Sequence, residues 1–121
     1  IHVPKTDGAL IGAAEIAAMK PGAVIVNTAR GGVVDEAALA EAIASGQIGA
    51  AGLDVLSHEP PEADEPLLAL DNVIVTPHSA GLTRECAERM ATVSVRNVLD
   101  HFEGRLDPAL VVNSPITEAA G

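Results

Sequence analysis

The feature that most constrains the fold of this 121-residue chain is an alternation of short apolar runs, rich in β-branched residues, with segments of helical pattern. The apolar runs start near residues 1, 23, 49 and 72. This alternation is typical of βαβ crossovers, which place successive strands parallel in one sheet. The segments share no residue pattern beyond strand and helix, which disfavours a solenoid of repeats. We therefore expect an α/β fold that contains part of a doubly wound parallel sheet.

The limits of the expected elements follow from Pro, Gly and capping residues. Continuous apolar runs predict strands, covered on both faces, at 1–3, 23–27, 48–56 and 73–76. Helical spacing predicts helices over 10–19, 35–46 and 83–103, and one helical turn over 67–70. Asp35 and Thr83 are good N-cap residues, and Gly46 suits a helix end. The run at 110–112 predicts an additional edge strand.

Three chemically active side chains follow the carboxyl ends of three different predicted strands. Arg30 follows the second strand, Glu59 the third and His78 the fourth. In a parallel sheet these ends meet at one edge, where open α/β sheets bind their ligands. A guanidinium binds a carboxylate bidentately, and an imidazole beside a carboxylate exchanges a proton near neutral pH. The combination predicts a site for a 2-keto or 2-hydroxy acid.

Each of these residues also has a structural interpretation. A single loop histidine is more often structural or solvated than catalytic, and Glu59 lies in an acidic loop where a surface charge is expected. Arg30 is the stronger candidate, because the following Gly31 and Gly32 suit a sharp turn or a close approach to a ligand. Asp54 has two interpretations: it bonds neighbouring backbone amides, or it accepts a hydrogen bond from a ligand amide.

Composition disfavours several other classes of function. With 7 Lys and Arg against 17 Asp and Glu, the net charge of −10 repels nucleic acids and anionic membranes. Cys86 is the only cysteine, so a reducing, cytoplasmic location without an internal disulfide is expected. No long apolar run or leader segment is visible. No metal site is predicted, because no Cys/His cluster has ligand spacing, and the G-x-G-x-x-G fingerprint is also missing.

The sequence resembles a known family, the D-isomer-specific 2-hydroxyacid dehydrogenases, which include D-3-phosphoglycerate, glycerate/hydroxypyruvate and D-lactate dehydrogenases. The resemblance is carried by HVPKTDGALIG, MKPGAVIVNTARGGVVDEAALAEAIASGQIGAAGLDVLSHEPP and NVIVTPHSAGLT, in that order. It implies that residues 1–103 are the carboxyl-terminal half of a Rossmann-like NAD-binding domain, including a long return helix. Residues 104–121 would return to a substrate domain. The family's glycine fingerprint lies upstream of Ile1, so we expect the domain to be incomplete at the N-terminus.

The resemblance also implies roles for individual residues. Arg30 in NTARGG binds the substrate carboxylate, His78 in PHSAG contacts the substrate as the catalytic acid or base, and Glu59 in HEPP is its carboxylate partner. Asp54 is expected near the nicotinamide carboxamide. The implied contacts to NAD(H) are Pro4, Thr28, Ala29, Arg30, Asp54, His78, Ser79, Ala80 and Gly81. NADP stays open as the cofactor, because the residue that selects between NAD and NADP lies upstream.

Two functions of different class remain. The first is an oxidoreductase that transfers a hydride between NAD(H) and a D-2-hydroxy acid or 2-keto acid, a cytoplasmic homodimer when complete and inactive as this fragment. The second is a non-catalytic NAD-sensing module, similar to the transcriptional corepressors that share the fold. Glu59 favours a 2-hydroxy acid over formate, because formate dehydrogenases of the superfamily have glutamine there. A third possibility is that the 121 residues fold poorly alone.

Overall fold

A computed structural model describes residues 8–112 of the chain, which divides into two units, Ile1–Gly81 and Leu82–Gly121. The first unit contains a parallel three-stranded sheet in the order β1 (Ala23–Asn27), β2 (Ile48–Leu53), β3 (Val73–Val75). Its helical elements are α1 (Ala13–Ala17), α2 (Glu36–Ala44) and the 3₁₀ helix Pro66–Ala69. The predicted parallel α/β class is confirmed. The first predicted strand and Pro4 lie outside the described residues.

Residues at both ends of α2 explain where this helix begins and ends. The side chain of Asp35 accepts a hydrogen bond from the backbone N–H of Ala38 at 3.0 Å, which satisfies one free donor of the first turn. At the other end Gly46 has φ of +80°, a left-handed conformation that favours glycine. The predicted cap and end of this helix are confirmed.

One face of the sheet carries the core of the first unit. Ile25 of β1 pairs with Ala51 of β2, which pairs with Val73 of β3, so these side chains form a row on one face. Leu39 and Ile43, one turn apart on α2, belong to the same buried cluster. Burying a side chain of this size contributes roughly 1.5–3 kcal/mol. The remaining members of the cluster are Ile16, Val34, Ile48, Leu53, Leu56 and Leu67.

The opposite face of the sheet is exposed, which corrects the expectation that the strands are covered on both faces. Val24, Val26 and Ile74 are 65%, 69% and 70% exposed. The buried residues of α1, α2 and the 3₁₀ helix all belong to the cluster on the other face. A run of consecutive apolar residues is therefore insufficient to predict that both faces of a strand are buried. The sequence of the strand does not show which other elements pack on it.

The first helix is shorter than predicted. Helical spacing indicated a helix over 10–19, whereas α1 spans only five residues. Ile11 instead forms a parallel bridge with Val34, and its carbonyl accepts a hydrogen bond from the backbone N–H of Asp35 at 2.9 Å. This pairing holds Ile11 extended, so the helix begins only after Gly12.

The predicted edge strand at 110–112 is also wrong. Residues Pro108–Leu110 form a second 3₁₀ helix, and Val112 is fully exposed. The carboxylate of Asp107 accepts a hydrogen bond from the backbone N–H of Ala109 at 2.9 Å, which favours the turn over an extended chain. Apolar composition alone did not reveal this local cap.

The second unit contains the long helix α3 (Arg84–Phe102). The side-chain oxygen of Thr83 accepts a hydrogen bond from the backbone N–H of Cys86 at 3.1 Å and caps the first turn. Gly104, with φ of +67°, follows the last turn. The predicted helix and its N-cap are confirmed. Across residues 8–112, no helix is both long enough and apolar enough to cross a membrane.

Candidate active site at the carboxyl rim of the sheet

The strands β1, β2 and β3 run parallel, so the loops after Asn27, Leu53 and Val75 leave the sheet at the same rim. Backbone hydrogen bonds continue just past the strands, from Asp54 N–H to the Asn27 carbonyl and from Thr76 N–H to the Leu53 carbonyl, both 2.9 Å. The predicted placement of three loops at one edge is confirmed. This is the edge at which open α/β sheets bind ligands.

The structure brings His78 and Glu59 together at this rim. The imidazole Nδ1 lies 2.8 Å from Glu59 Oε2, and the two side chains are 50% and 38% exposed. A carboxylate only accepts, so Nδ1 carries the proton in this hydrogen bond. Among the described residues, the second ring nitrogen, Nε2, has no hydrogen-bond partner. The imidazole is therefore oriented by one nitrogen and presents the other to solvent or to a ligand.

Glu59 is fixed by a second contact. Its Oε1 accepts a hydrogen bond from the backbone N–H of Leu56 at 3.0 Å. The hydrogen bond from His78, and after it the Leu56 N–H, hold the pKa of Glu59 below its ordinary value. The residue is therefore a charged carboxylate at neutral pH, as a partner that stabilises an imidazolium must be.

Arg30 lies on a turn that Asn27 organises. The buried Asn27 side chain accepts a hydrogen bond from the backbone N–H of Ala29 at 3.1 Å and donates one to the carbonyl of Arg30 at 3.0 Å. The exposed guanidinium donates from Nη1 to the Ala29 carbonyl at 2.7 Å. In the part of the chain that the structure describes, it forms no ion pair with a carboxylate. Its charge is thus available to an anionic ligand.

Asn27 was missed by the sequence reasoning. It was counted only as the last residue of an apolar strand, although its amide side chain makes both turn contacts. The sequence contains one indication of this turn. Asn27 stands where the apolar run of residues 23–27 ends and Thr28, Ala29 and Arg30 begin, and asparagine readily forms an Asx turn.

The loop carrying Arg30 lies directly against the loop carrying Glu59. A Cβ added to Gly31 would lie 2.0 Å from the carbonyl oxygen of Leu56 and 2.8 Å from the nitrogen of Ser57. Only glycine allows this approach, because no Cβ atom tolerates such distances. The sequence-based interpretation of Gly31 and Gly32 was a sharp turn or a close approach to a ligand. Gly32, with φ of +77°, has a turn conformation, whereas the neighbours of Gly31 are backbone atoms of Leu56 and Ser57, which the sequence did not indicate.

Asp54 is buried, 5% exposed, and both of its oxygens hold the turn that contains His78. Oδ1 accepts from the Thr76 hydroxyl at 2.5 Å and from the Ser79 N–H at 2.9 Å, and Oδ2 accepts from the Ala80 N–H at 2.9 Å. The Thr76 hydroxyl, and after it the Ala80 N–H, lower the pKa of Asp54. Of the two sequence interpretations, bonding to backbone amides is the one observed, and it leaves an acceptor position on Oδ2.

The other predicted cofactor contacts lie on two of these loops. Thr28 is exposed and Ala29 half-buried on the loop after β1; Ser79 is half-buried and Ala80 and Gly81 are exposed after β3. Pro4 lies outside the described residues. The rim thus presents backbone and small side chains beside Asp54. Within residues 8–112, no three His, Cys, Asp or Glu side chains are grouped to bind a metal ion.

A cavity of about 410 Å³ opens beside the His78–Glu59 pair. This volume is within the range of small-molecule sites. Apart from Asp54, Thr76 and the pair itself, its lining is apolar and consists of Leu56, Pro60, Pro61, Leu68, Val75 and Pro77. Arg30 is not part of this lining, so the guanidinium and the cavity are separate features of the rim.

The parallel sheet, with an oriented histidine and an exposed arginine at its carboxyl rim, places the chain in the class of open α/β domains whose ligands bind at that rim. Comparison with known proteins gives the family within that class. Residues 1–80 match the family described as D-isomer specific 2-hydroxyacid dehydrogenase, NAD binding domain. The chain belongs to this family, and the resemblance seen in the sequence is confirmed.

Individual relatives agree with this assignment. The chain is 46% identical over 120 residues to D-3-phosphoglycerate dehydrogenase of Archaeoglobus fulgidus, covering 98% of the chain and 23% of that protein. It is 44% identical over 113 residues to glyoxylate reductase of Aeropyrum pernix, covering 92% and 34%. D-lactate dehydrogenase with NAD+ from Lactobacillus jensenii matches with a TM-score of 0.76 and 39% identity, covering 85% and 36%. The chain therefore spans about a quarter to a third of these relatives' length.

Proposed function

We propose that this chain supplies the acid–base pair, the carboxylate-binding arginine and the nicotinamide side of the cofactor site of a D-2-hydroxyacid dehydrogenase. The observation that carries the proposal is the 2.8 Å pair between His78 and Glu59 at the rim that also presents the exposed guanidinium of Arg30. Family membership supports the reaction class. The reaction is the interconversion of a D-2-hydroxy acid and its 2-keto acid.

Arg30, His78 and Glu59 have separate roles in this reaction. Arg30 binds the substrate carboxylate as a bidentate fork. His78, oriented through Nδ1, donates a proton from Nε2 to the carbonyl oxygen during reduction and accepts it back during oxidation. Glu59 stays ionised and stabilises the imidazolium. NAD(H), when bound, supplies or accepts the hydride.

The residues at the rim fit the nicotinamide end of the cofactor. Asp54 retains an acceptor position on Oδ2 for an amide N–H, and Thr28, Ala29, Ser79, Ala80 and Gly81 are the neighbouring contacts that we assign to NAD. No G-x-G-x-x-G occurs in the 121 residues, so the pyrophosphate needs another segment. NADP is the alternative cofactor. Activity assays with NADH and with NADPH distinguish the two.

Several wider properties belong to the same proposal. The substrate is a small 2-keto or 2-hydroxy acid, by analogy with relatives named for 3-phosphoglycerate and glyoxylate. We further propose a cytoplasmic homodimer without nucleic-acid or membrane partners, in agreement with the net charge of −10. The cofactor domain extends over residues 1–103, and residues 104–121 lead to the substrate domain. No observation favours the sensing-module alternative.

Kinetics of the full-length protein encoded by the gene test this proposal. NADH and NADPH oxidation are measured with glyoxylate, hydroxypyruvate and pyruvate, for the natural protein and for His78→Ala and Arg30→Ala. We expect turnover to fall about 10²–10⁴-fold in His78→Ala, because a positioned general acid contributes on this order. His58→Ala is the matched control, since His58 is exposed on the same loop as Glu59 and should leave turnover unchanged. Near-normal keto-acid reduction by His78→Ala would rule out the proposed mechanism.

A further inference from the structure

His78 has an unusual backbone conformation. Its φ is +52°, and it is the only residue other than glycine with positive φ in the part of the chain that the structure describes. A left-handed backbone is unfavourable for a residue with a Cβ and persists only where its surroundings enforce it. The turn begins with a hydrogen bond from the His78 N–H to the Thr76 carbonyl at 2.9 Å. The left-handed conformation therefore needs further contacts from the residues that follow His78.

Those contacts come from Asp54. The Ser79 and Ala80 N–H groups, immediately after His78, both donate to this one buried carboxylate at 2.9 Å. The direction in which the imidazole leaves the chain is consequently tied to the orientation of the Asp54 side chain. The two amides alone cannot set the orientation of the Asp54 carboxylate, because they belong to the turn that this carboxylate holds.

The Thr76 hydroxyl is the third donor to the carboxylate. It donates to Asp54 Oδ1 at 2.5 Å, while the Thr76 backbone N–H is held at 2.9 Å by the carbonyl of Leu53 on β2. Thr76 is thus fixed to the sheet through its backbone and to the carboxylate through its hydroxyl. It provides the only side-chain donor to Asp54 within the described residues.

We propose that Thr76 is a positioning residue: its hydroxyl fixes the Asp54 carboxylate, which holds the left-handed turn and directs the His78 imidazole toward Glu59. This inference rests on the proposed function of His78 as acid or base. Thr76 itself transfers no proton to the substrate. The consequence for catalysis is geometric, since a misplaced proton donor slows the chemical step without weakening the binding of ligands that contact other groups.

The test compares Thr76→Val and Thr76→Ser in the full-length protein encoded by the gene. Valine keeps the shape of the side chain and removes the donor, whereas serine keeps the donor. We expect kcat for keto-acid reduction to fall about 10-fold or more in Thr76→Val, because small misplacements have effects of this order. KM for the keto acid should stay within about twofold, because the substrate carboxylate is assigned to Arg30 on another loop. Kd for NADH is measured alongside, since Asp54 is also assigned to the cofactor. Thr76→Ser should restore kcat to near the natural value.

Two results would overturn the inference. One is a Thr76→Val protein with natural kcat, and the other is a loss confined to NADH affinity, which would mean that Thr76 and Asp54 serve the cofactor alone. If the valine variant does not fold, Thr76→Ala replaces it under the same criteria. His78→Ala separates this inference from the proposed function: if His78→Ala is inactive and Thr76→Val is natural, only the positioning role fails. If His78→Ala is active, the proposed function fails.

Discussion

At the scale of single residues, the rim depends on two carboxylates that stay ionised. The pKa of Glu59 is lowered mainly by the hydrogen bond from His78, and that of Asp54 mainly by the Thr76 hydroxyl. A carboxylate with a lowered folded-state pKa contributes stability above its unfolded value of about 4, and this contribution is lost as the pH falls through the folded value. Both carboxylates are therefore ionised above about pH 5. Titration of these carboxylates cannot cause a change in activity within that range.

Replacing Glu59 by glutamine tests the electrostatic part of the pair. The negative charge of Glu59 stabilises the imidazolium that donates a proton during reduction. In Glu59→Gln we expect kcat for keto-acid reduction to fall by up to about 10-fold, a limited effect because both side chains are partly exposed and solvent screens the charge. The measurement is kcat at saturating NADH and keto acid.

Glu62→Gln is the matched control for this variant. It removes one charge from the same exposed loop, and Glu62 makes no side-chain hydrogen bond to His78 in the described structure. An equal fall of kcat in both variants would show a general charge effect and contradict a specific role for Glu59. An unchanged kcat in Glu59→Gln would contradict the role altogether.

At the scale of elements, the sequence predicted the limits of a helix or strand correctly where the capping residues or the apolar run belong to that same segment. β1 was predicted with its observed limits, and α2 and α3 were predicted to within one or two residues, because Asp35 and Thr83 cap them directly. The predicted limits of α1 were too wide because Ile11 pairs with Val34, 23 residues away by number, and a helical pattern does not contain that contact. The meeting of three loops at one rim followed from parallel topology alone.

The detailed contacts of the site could not be derived from the sequence, because they join side chains to distant backbone. The sequence placed Glu59 and His78 at one edge and allowed Asp54 to bond backbone amides. It did not indicate that these amides belong to the turn containing His78, or that the Thr76 hydroxyl also donates to Asp54. The approach of Gly31 to the Leu56 carbonyl likewise depends on how two loops pack. Tertiary structure decides such contacts. The sequence shows only a small or polar residue that is compatible with them.

The packing of the two loops predicts a large effect of Gly31→Ala. Its added methyl group would meet the Leu56 backbone at 2.0 Å, and backbone cannot rotate away as a side chain can. We expect the free energy of unfolding to fall by about 1–3 kcal/mol or more, together with a rise in KM for the keto acid because Arg30 moves. Urea unfolding and steady-state kinetics measure the two effects.

Gly52→Ala is the control for this steric argument. A methyl group at Gly52 would lie 3.8 Å from Val26, an ordinary contact, and Gly52 has no positive φ. Its urea midpoint should change little. Equal destabilisation by both variants would mean that the loss of glycine in general, and not the loop contact, is responsible.

At the scale of the whole molecule, the proposed function assigns to this chain the acid–base pair and one side of the cofactor site. The residues assigned to NAD lie on the nicotinamide side, and the glycine fingerprint that binds a pyrophosphate does not occur in the 121 residues. The net charge of −10 adds no attraction for an anionic dinucleotide. In the proposed function, the nicotinamide side of the cofactor site is therefore separate from the pyrophosphate side.

This separation predicts that the 121-residue chain alone binds NADH with a Kd of about 1 mM or weaker, because a few contacts to the nicotinamide must offset the whole cost of association. NADH fluorescence titration measures the affinity after circular dichroism has verified the helices. The D-lactate dehydrogenase of Lactobacillus jensenii, whose structure contains NAD+, is the positive control. A micromolar Kd for the isolated chain would place a pyrophosphate-binding group within these residues and contradict the assignment of only the nicotinamide side to them.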